Sequence, residues 1–314
     1  MKQKNDVYIC SKPLQFFNIK NIGKIEVTPC NSILVIIDGF QNAKEYADRI
    51  RMYDDYWNEV VFLKRFADCY RWLLKRKIRN LYVDNDMSWF FYGMSFFNRI
   101  NNLYVYEEGI GTYANMTEYE EVNLCRKSSW ARRLGRKLMG MGLHIGDSRY
   151  CKGVYLTKPY LYNSKFCSTK GRGFVMSFLD NLQKNEELFL RLTGGLPEEL
   201  EVSEKSILIY VTDWNIQSEI LSKLFKESPQ YDICFIKPHP HIKQIEIKED
   251  SFVKVLNTPV MMELVISYLL KRNNRITIWH QYSTSVVHFL DHIESVPFPI
   301  NPEYERVYNE YINA

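Results

Sequence analysis

Leu103-Tyr104-Val105-Tyr106-Glu107-Glu108-Gly109 sets an apolar, β-favouring run directly against two carboxylates and a glycine. β-Branched and aromatic residues suit a strand buried on both faces, and the abrupt change to acid and glycine marks its end in a turn. The same grammar recurs on either side of this stretch. Upstream, short β-rich runs occupy residues 7–10, 33–37, 60–63 and 81–83, with helical patterning over 42–58 and 66–77. Downstream, a second series occupies 207–211, 233–236, 252–255 and 276–279, with helical patterning over 218–226 and 260–271. Strands alternating with helices predict parallel sheets and crossover helices. The expected class is α/β, with two doubly wound, Rossmann-like domains.

Turn punctuation gathers between the two series, at Lys158-Pro159, Gly171-Arg172-Gly173, Gly194-Gly195 and Pro197, around a helical pattern over 176–192. The expected organisation is an amino-terminal domain over 1–155, a connection over 156–204 and a carboxyl-terminal domain over 205–314. A chain of 314 residues with 46% hydrophobic content can fill two such cores.

Charge and cysteine content narrow the classes. With 41 Lys and Arg against 37 Asp and Glu, the net charge of +4 is too small to argue for a nucleic-acid partner. Seven cysteines without a Cys-x-x-Cys pair argue against a disulfide framework and a zinc knuckle, and fit a reducing cytoplasm. Residues 1–6 are polar, without the order of a signal peptide, and no uncharged apolar stretch reaches the roughly 18 residues a membrane span requires. A basic stretch, Arg126, Lys127, Arg132, Arg133, Arg136 and Lys137, interleaves with Trp130, Leu134, Leu138 and Met139. It reads either as an amphipathic helix for an anionic membrane surface or as a solvated helix packed on its own domain.

Polar residues with chemical potential fall at the predicted strand ends, where open parallel sheets meet their ligands. They are Ser11-Lys12-Pro13-Leu14-Gln15, Glu107-Glu108-Gly109, Asp213, Lys237-Pro238-His239-Pro240, and His280 with Ser283-Thr284-Ser285. Each alone is explained by a cap or a turn. Their conjunction, two carboxylates in one half and a proline-framed histidine in the other, suits a cleft between domains. Asp84-Asn85-Asp86 has the spacing of a metal motif, but its place in the first half favours a turn.

The Glu107-Glu108-Gly109 and His239-Pro240 pairings resemble the paired-acid-glycine and histidine-proline motifs of bacterial sialyltransferases, most closely the lipooligosaccharide sialyltransferase family. The resemblance extends to a Pro-Leu-Gln turn after the first strand, to Glu107 through Gly111, to Leu256-Asn257-Thr258-Pro259 with Glu263, and to Ser283-Thr284. It implies the GT-B fold, with nucleotide in the carboxyl-terminal domain and acceptor on the other side. The implied reaction is transfer of sialic acid from CMP-sialic acid to a galactose-type hydroxyl of a bacterial surface glycan, with inversion and no required metal or cofactor.

On this reading His239 assists departure of the CMP phosphate, with Pro238 and Pro240 fixing its loop and Lys237 adding positive potential. Ser283 and Thr284 bind phosphate at the start of a helix, and Glu263 accepts from the ribose hydroxyls. Glu107, Glu108 and Asp213 compete for the role of general base. Asp213 also reads as the N-cap of the following helix, and the Glu pair as support for the Gly109 turn. The implied partners are a CMP-sugar and a glycan acceptor, free or lipid-linked, at the inner face of the bacterial inner membrane, and a homodimer is compatible with them. Two other readings stay open: a GT-B enzyme using another CMP-nonulosonic acid or a UDP-hexose, and a catalytically silent glycan-binding protein.

Overall fold

The computed structural model describes residues 5–22, 31–97, 99–123, 130–138, 140–213, 216–240, 242, 252–299 and 302–314. They form two compact units, Met1–Asp38 with Ala43–Asn181 and Asn301–Ala314 in the first, and Gly39–Asn42 with Leu182–Ile300 in the second. The terminal helix Pro302–Ile312 therefore packs with the first unit, although it follows the second in sequence.

The first unit holds strands β1 (Asn5–Cys10), β2 (Asn31–Ile37), β3 (Glu59–Leu63), β4 (Ile78–Val83), β5 (Ile100–Tyr106), β6 (Cys151–Leu156) and β7 (Gly171–Gly173). They pair in the order β3-β2-β1-β4-β5-β6-β7, every pair parallel. The order reverses between β1 and β4, which makes that gap the topological switch point of the sheet. β1 and β2 end in continuous buried runs, as a sheet covered on both faces requires. Much of the aromatic content is packing of this kind. Tyr8, Tyr82 and Tyr104 stand in register on β1, β4 and β5, with ring centroids 4.3 Å and 5.1 Å apart in near-parallel stacks.

The second unit repeats the plan with β8 (Ser206–Val211), β9 (Ile233–Lys237), β10 (Val253–Val255), β11 (Arg275–His280) and β12 (Glu294–Pro297). Its order is β10-β9-β8-β11-β12, again all parallel, with the switch point between β8 and β11. Leu208, Tyr210, Cys234, Ile236, Val253 and Trp279 from the sheet close over Ile220 and Leu224 of the helix Ser218–Glu227.

The nine runs expected as strands are all strands. Two helices of the first half are shorter than their patterns: Ala43–Tyr53 rather than 42–58, and Phe66–Leu74 rather than 66–77. The alternation missed β6, β7 and β12. β7 is only Gly171–Gly173, which lacks any apolar signal, and β12 contains Glu294 and Pro297 at the sheet edge, where proline is tolerated.

Candidate active site

In the first unit the side chains converge on the switch point. Lys12 and Pro13 follow β1 and open the helix Pro13–Lys20, Asp84 follows β4, and Glu107 and Glu108 follow β5. Pro13 at the first helical position carries no N–H to leave unsatisfied, so the chain turns sharply out of the strand. The Pro-Leu-Gln segment is thus the first turn of a helix. Gln15, fully buried, accepts from the Ser11 N–H at 2.6 Å and donates through Nε2 to Asp84 Oδ2 at 2.9 Å. Lys12 Nζ is ion-paired with Glu108, and Glu108 shares a hydrogen bond with Asp84. Burial, then the neighbouring Glu108 charge and that shared hydrogen bond, push the Asp84 carboxyl well up.

Glu107 and Glu108 have different work. Glu107 is buried, accepting from the Thr157 N–H at 2.6 Å, Tyr113 Oη at 2.7 Å and Tyr311 Oη at 3.1 Å. Burial raises its pKa while these bonds oppose the rise. Tyr311 lies on the terminal helix, so Glu107 is an anchor for that helix. Glu108 keeps a third of its side-chain surface exposed and is the carboxylate of the pair accessible to solvent. Gly109 takes φ 151° and ψ −161°, a region open essentially to glycine, which turns the chain between the acids and the 3-10 segment Ile110–Tyr113.

Of Asp84-Asn85-Asp86, Asn85 is turn chemistry, as expected, while Asp86 holds the backbone of a distant loop. Asn85 accepts from the Met87 N–H at 2.7 Å, and buried Asp86 accepts from the Gly146 and Ser148 N–H groups at 2.8 and 3.2 Å. Asp84 instead enters the switch-point cluster. The signal that could have found it was positional: it ends the strand lying next to β1.

In the second unit, the loops after β8, β9 and β11 are tied together by side chains. His239 is half-buried, and its N–H donates to Thr212 Oγ1 at 3.0 Å, which fixes the β9 loop to the β8 end. Its carbonyl accepts from the Ile242 N–H at 2.8 Å. Pro238 is buried and Pro240 exposed on either side. The Asp213 N–H donates to Gln281 Oε1 at 3.2 Å across the switch point. The next helix begins at Ser218 with Gln217 as its N-cap, so Asp213 is no helix cap. Thr212 and Gln281 are positioning residues that strand-end reading passed over, because neither type stands out chemically by itself.

Lys237 is buried and donates to the Thr258 carbonyl, inside the turn that follows β10. Lys237 is therefore an internal tie rather than a solvated surface lysine. Glu263 is buried in the first turn of the helix Met262–Leu270, hydrogen-bonded to Ser285 and near Lys237. Burial pushes the Glu263 carboxyl up to about 7, against the pull of its own N–H, Ser285 and Lys237. Burial lowers the Lys237 ammonium to about 8, and Glu263 opposes that fall. The helix expected after Ser283 is a single 3-10 turn, Thr284–Val286, capped by Ser283 Oγ on the Ser285 N–H at 3.3 Å. A phosphate there would meet the N–H groups of one turn rather than a full helix dipole.

His280 is satisfied internally. Its Nδ1 accepts from the Ser283 N–H at 3.1 Å, so Nε2 carries the proton toward Ser295 Oγ at 2.8 Å. Burial lowers its pKa to about 4, which keeps the ring neutral. His241, Arg126, Lys127 and Met139 lie outside the described residues.

Two parallel, doubly wound sheets of seven and five strands, each with polar groups gathered at its carboxyl end, define a GT-B-like fold. Two solved structures are similar to the chain. One is a putative UDP-N-acetylglucosamine 2-epimerase from Listeria monocytogenes, with TM-score 0.52 and 8% identity, over 100% of this chain and 88% of that one. The other is S. aureus MnaA in a co-structure with UDP, with TM-score 0.56 and 10% identity, over 99% of this chain and 91% of that one. At such identities the likeness is one of fold. No protein-family model matches the chain, that of the lipooligosaccharide sialyltransferases included, and no curated protein matches it.

Proposed function

We propose that this chain is a nucleotide-sugar-dependent glycosyltransferase that binds a pyrimidine nucleotide in its second unit and transfers the attached sugar to a glycan hydroxyl. One observation carries the reading: buried Glu263 and Lys237 flank the turn after β10, while the neighbouring β9 loop holds His239 half-exposed on Thr212. A ribose diol needs a fixed acceptor, and Glu263 in the first turn of its helix supplies one. A departing phosphate needs a donor, and His239 supplies it as charge develops on the phosphate oxygen.

In the first unit, Glu108 is the base. It takes the proton of the acceptor hydroxyl as the new carbon–oxygen bond forms and the bond to phosphate breaks. Asp84 and Lys12 hold the Glu108 carboxylate by a shared proton and an ion pair. Asp213 stays a secondary candidate, held by its backbone on Gln281.

The sequence motifs favour a CMP-linked sialic acid as donor. A second reading, a UDP-hexose, is favoured by the fold likeness to the UDP-bound S. aureus structure. Thermal shifts test both together. CMP and CDP, or else UMP and UDP, should stabilise the chain by about 2.7 kcal/mol at 100 times their dissociation constant. Glu263→Gln should abolish most of that shift. Equal shifts with purine and pyrimidine nucleotides, unaffected by the substitution, would reject the assignment.

A further inference from the structure

The helix Trp130–Leu138, WARRLGRKL, presents an apolar stripe that is exposed among the described residues. Trp130 is 76% exposed, Leu134 47% and Leu138 78%. Their spacing of four puts them on one arc of the helix, and the register puts positions 132, 133, 136 and 137, all Arg or Lys, on the other. No acidic residue occurs from 126 to 140, while six basic ones do, more than the +4 of the whole chain. Elsewhere, therefore, the chain is close to neutral or slightly acidic, and the positive charge is concentrated here.

We propose that Trp130–Leu138 is an in-plane docking helix for an anionic lipid surface. The apolar arc enters the boundary between headgroups and acyl chains, and the basic arc meets lipid phosphates. Trp130 stands next to the basic arc in the register, where an indole has its apolar body in lipid and its N–H at the headgroups. At nine residues and a rise of about 1.5 Å each, the helix is too short to cross a bilayer. Among the described residues no helix is long and apolar enough to do so. A second copy of the chain is a poor occupant, because docking stripe to stripe would bring two clusters of like charge together.

The test uses the full chain and phosphatidylcholine vesicles with or without phosphatidylglycerol, read by co-sedimentation. Binding should require phosphatidylglycerol and weaken with added salt. Trp130→Ser with Leu138→Ser should reduce it at least about tenfold, since each buried apolar side chain carries that much. Lys137→Gln added to these should reduce it by a further factor of about five. Trp130, Lys137 and Leu138 are exposed, so the melting temperature of every variant should match the parent's. Absence of binding to the anionic vesicles, or equal binding by parent and variants, would overturn the proposal. So would a concentration-dependent dimer dispersed by the Trp130 and Leu138 substitutions, which would assign the stripe to a second copy.

Discussion

Glu107 and Glu108 are adjacent and chemically identical, yet their surroundings give them opposite tasks. Removing Glu107 strands the Thr157 N–H and the hydroxyls of Tyr113 and Tyr311 in a buried site. Glu107→Ala should therefore cost roughly 3 kcal/mol of stability, read as a fall in denaturation midpoint. Glu108→Gln should leave the midpoint within about 1 kcal/mol of the parent's and slow sugar transfer by about 100-fold, while nucleotide affinity is kept. An unstable Glu108→Gln beside a stable Glu107→Ala would reverse the two roles.

Glu263 gives a pH-dependent signature. Its folded pKa of about 7 lies above the ordinary 4.5, so between those values the folded chain holds a proton that the unfolded chain has released. Stability from this group therefore falls as pH rises through that window, by about 3 kcal/mol in all. Lys237 acts oppositely, because its folded value of about 8 lies below the ordinary 10.5, and stability returns as pH rises between the two. Chemical denaturation of Glu263→Gln from pH 4.5 to 7 should show a shallower downward slope than the parent's, the remainder coming from Asp84 and Asp86, whose carboxyls burial also pushes up. A slope equal to the parent's would show that another group sets it.

At the scale of elements, the strands were legible because their cores are β-branched runs buried on both faces, and residues such as Ile207-Leu208-Ile209-Tyr210-Val211 can do little else. Residues after those strands were legible as candidates by position alone. What escaped was every role decided by a partner distant in sequence. Glu107 meets Tyr311 across 204 positions, and Gln15 meets Asp84 across 69. Pattern reading has no access to such pairs. The same limit hid the packing of the terminal helix, whose Glu310 pairs with Lys165 at 2.5 Å and whose Tyr311 carbonyl accepts from Lys158 at 2.7 Å. Tyr311→Phe, which deletes one hydroxyl on Glu107, should cost about 1 kcal/mol, measured by the loss of helical signal at a lower temperature. An unchanged melting curve would show that the hydroxyl adds nothing to the buried face and charged pairs that hold the terminal helix.

For the whole molecule, the fold offers two parallel sheets of one plan, each with its switch point dressed in polar side chains. On the proposed reading, the nucleotide phosphate is met by His239 and backbone N–H groups, with buried Lys237 behind them. Turnover should accordingly persist in excess chelator, and activity lost in EDTA but restored by magnesium or manganese would require a metal in the reaction.

The central claim is that the strand ends of the second unit bind a pyrimidine nucleotide sugar and release its sugar with help from His239. Its most direct test is the release of free nucleotide from CMP-sialic acid and from UDP-N-acetylglucosamine, with and without a glycan acceptor, by the parent and His239→Ala. One donor should yield its nucleotide, faster with acceptor than with water alone. His239→Ala should slow both reactions by about 100-fold or more, with binding of the product nucleotide largely kept. No nucleotide released from either donor, or release by His239→Ala at the parent's rate, would contradict the account.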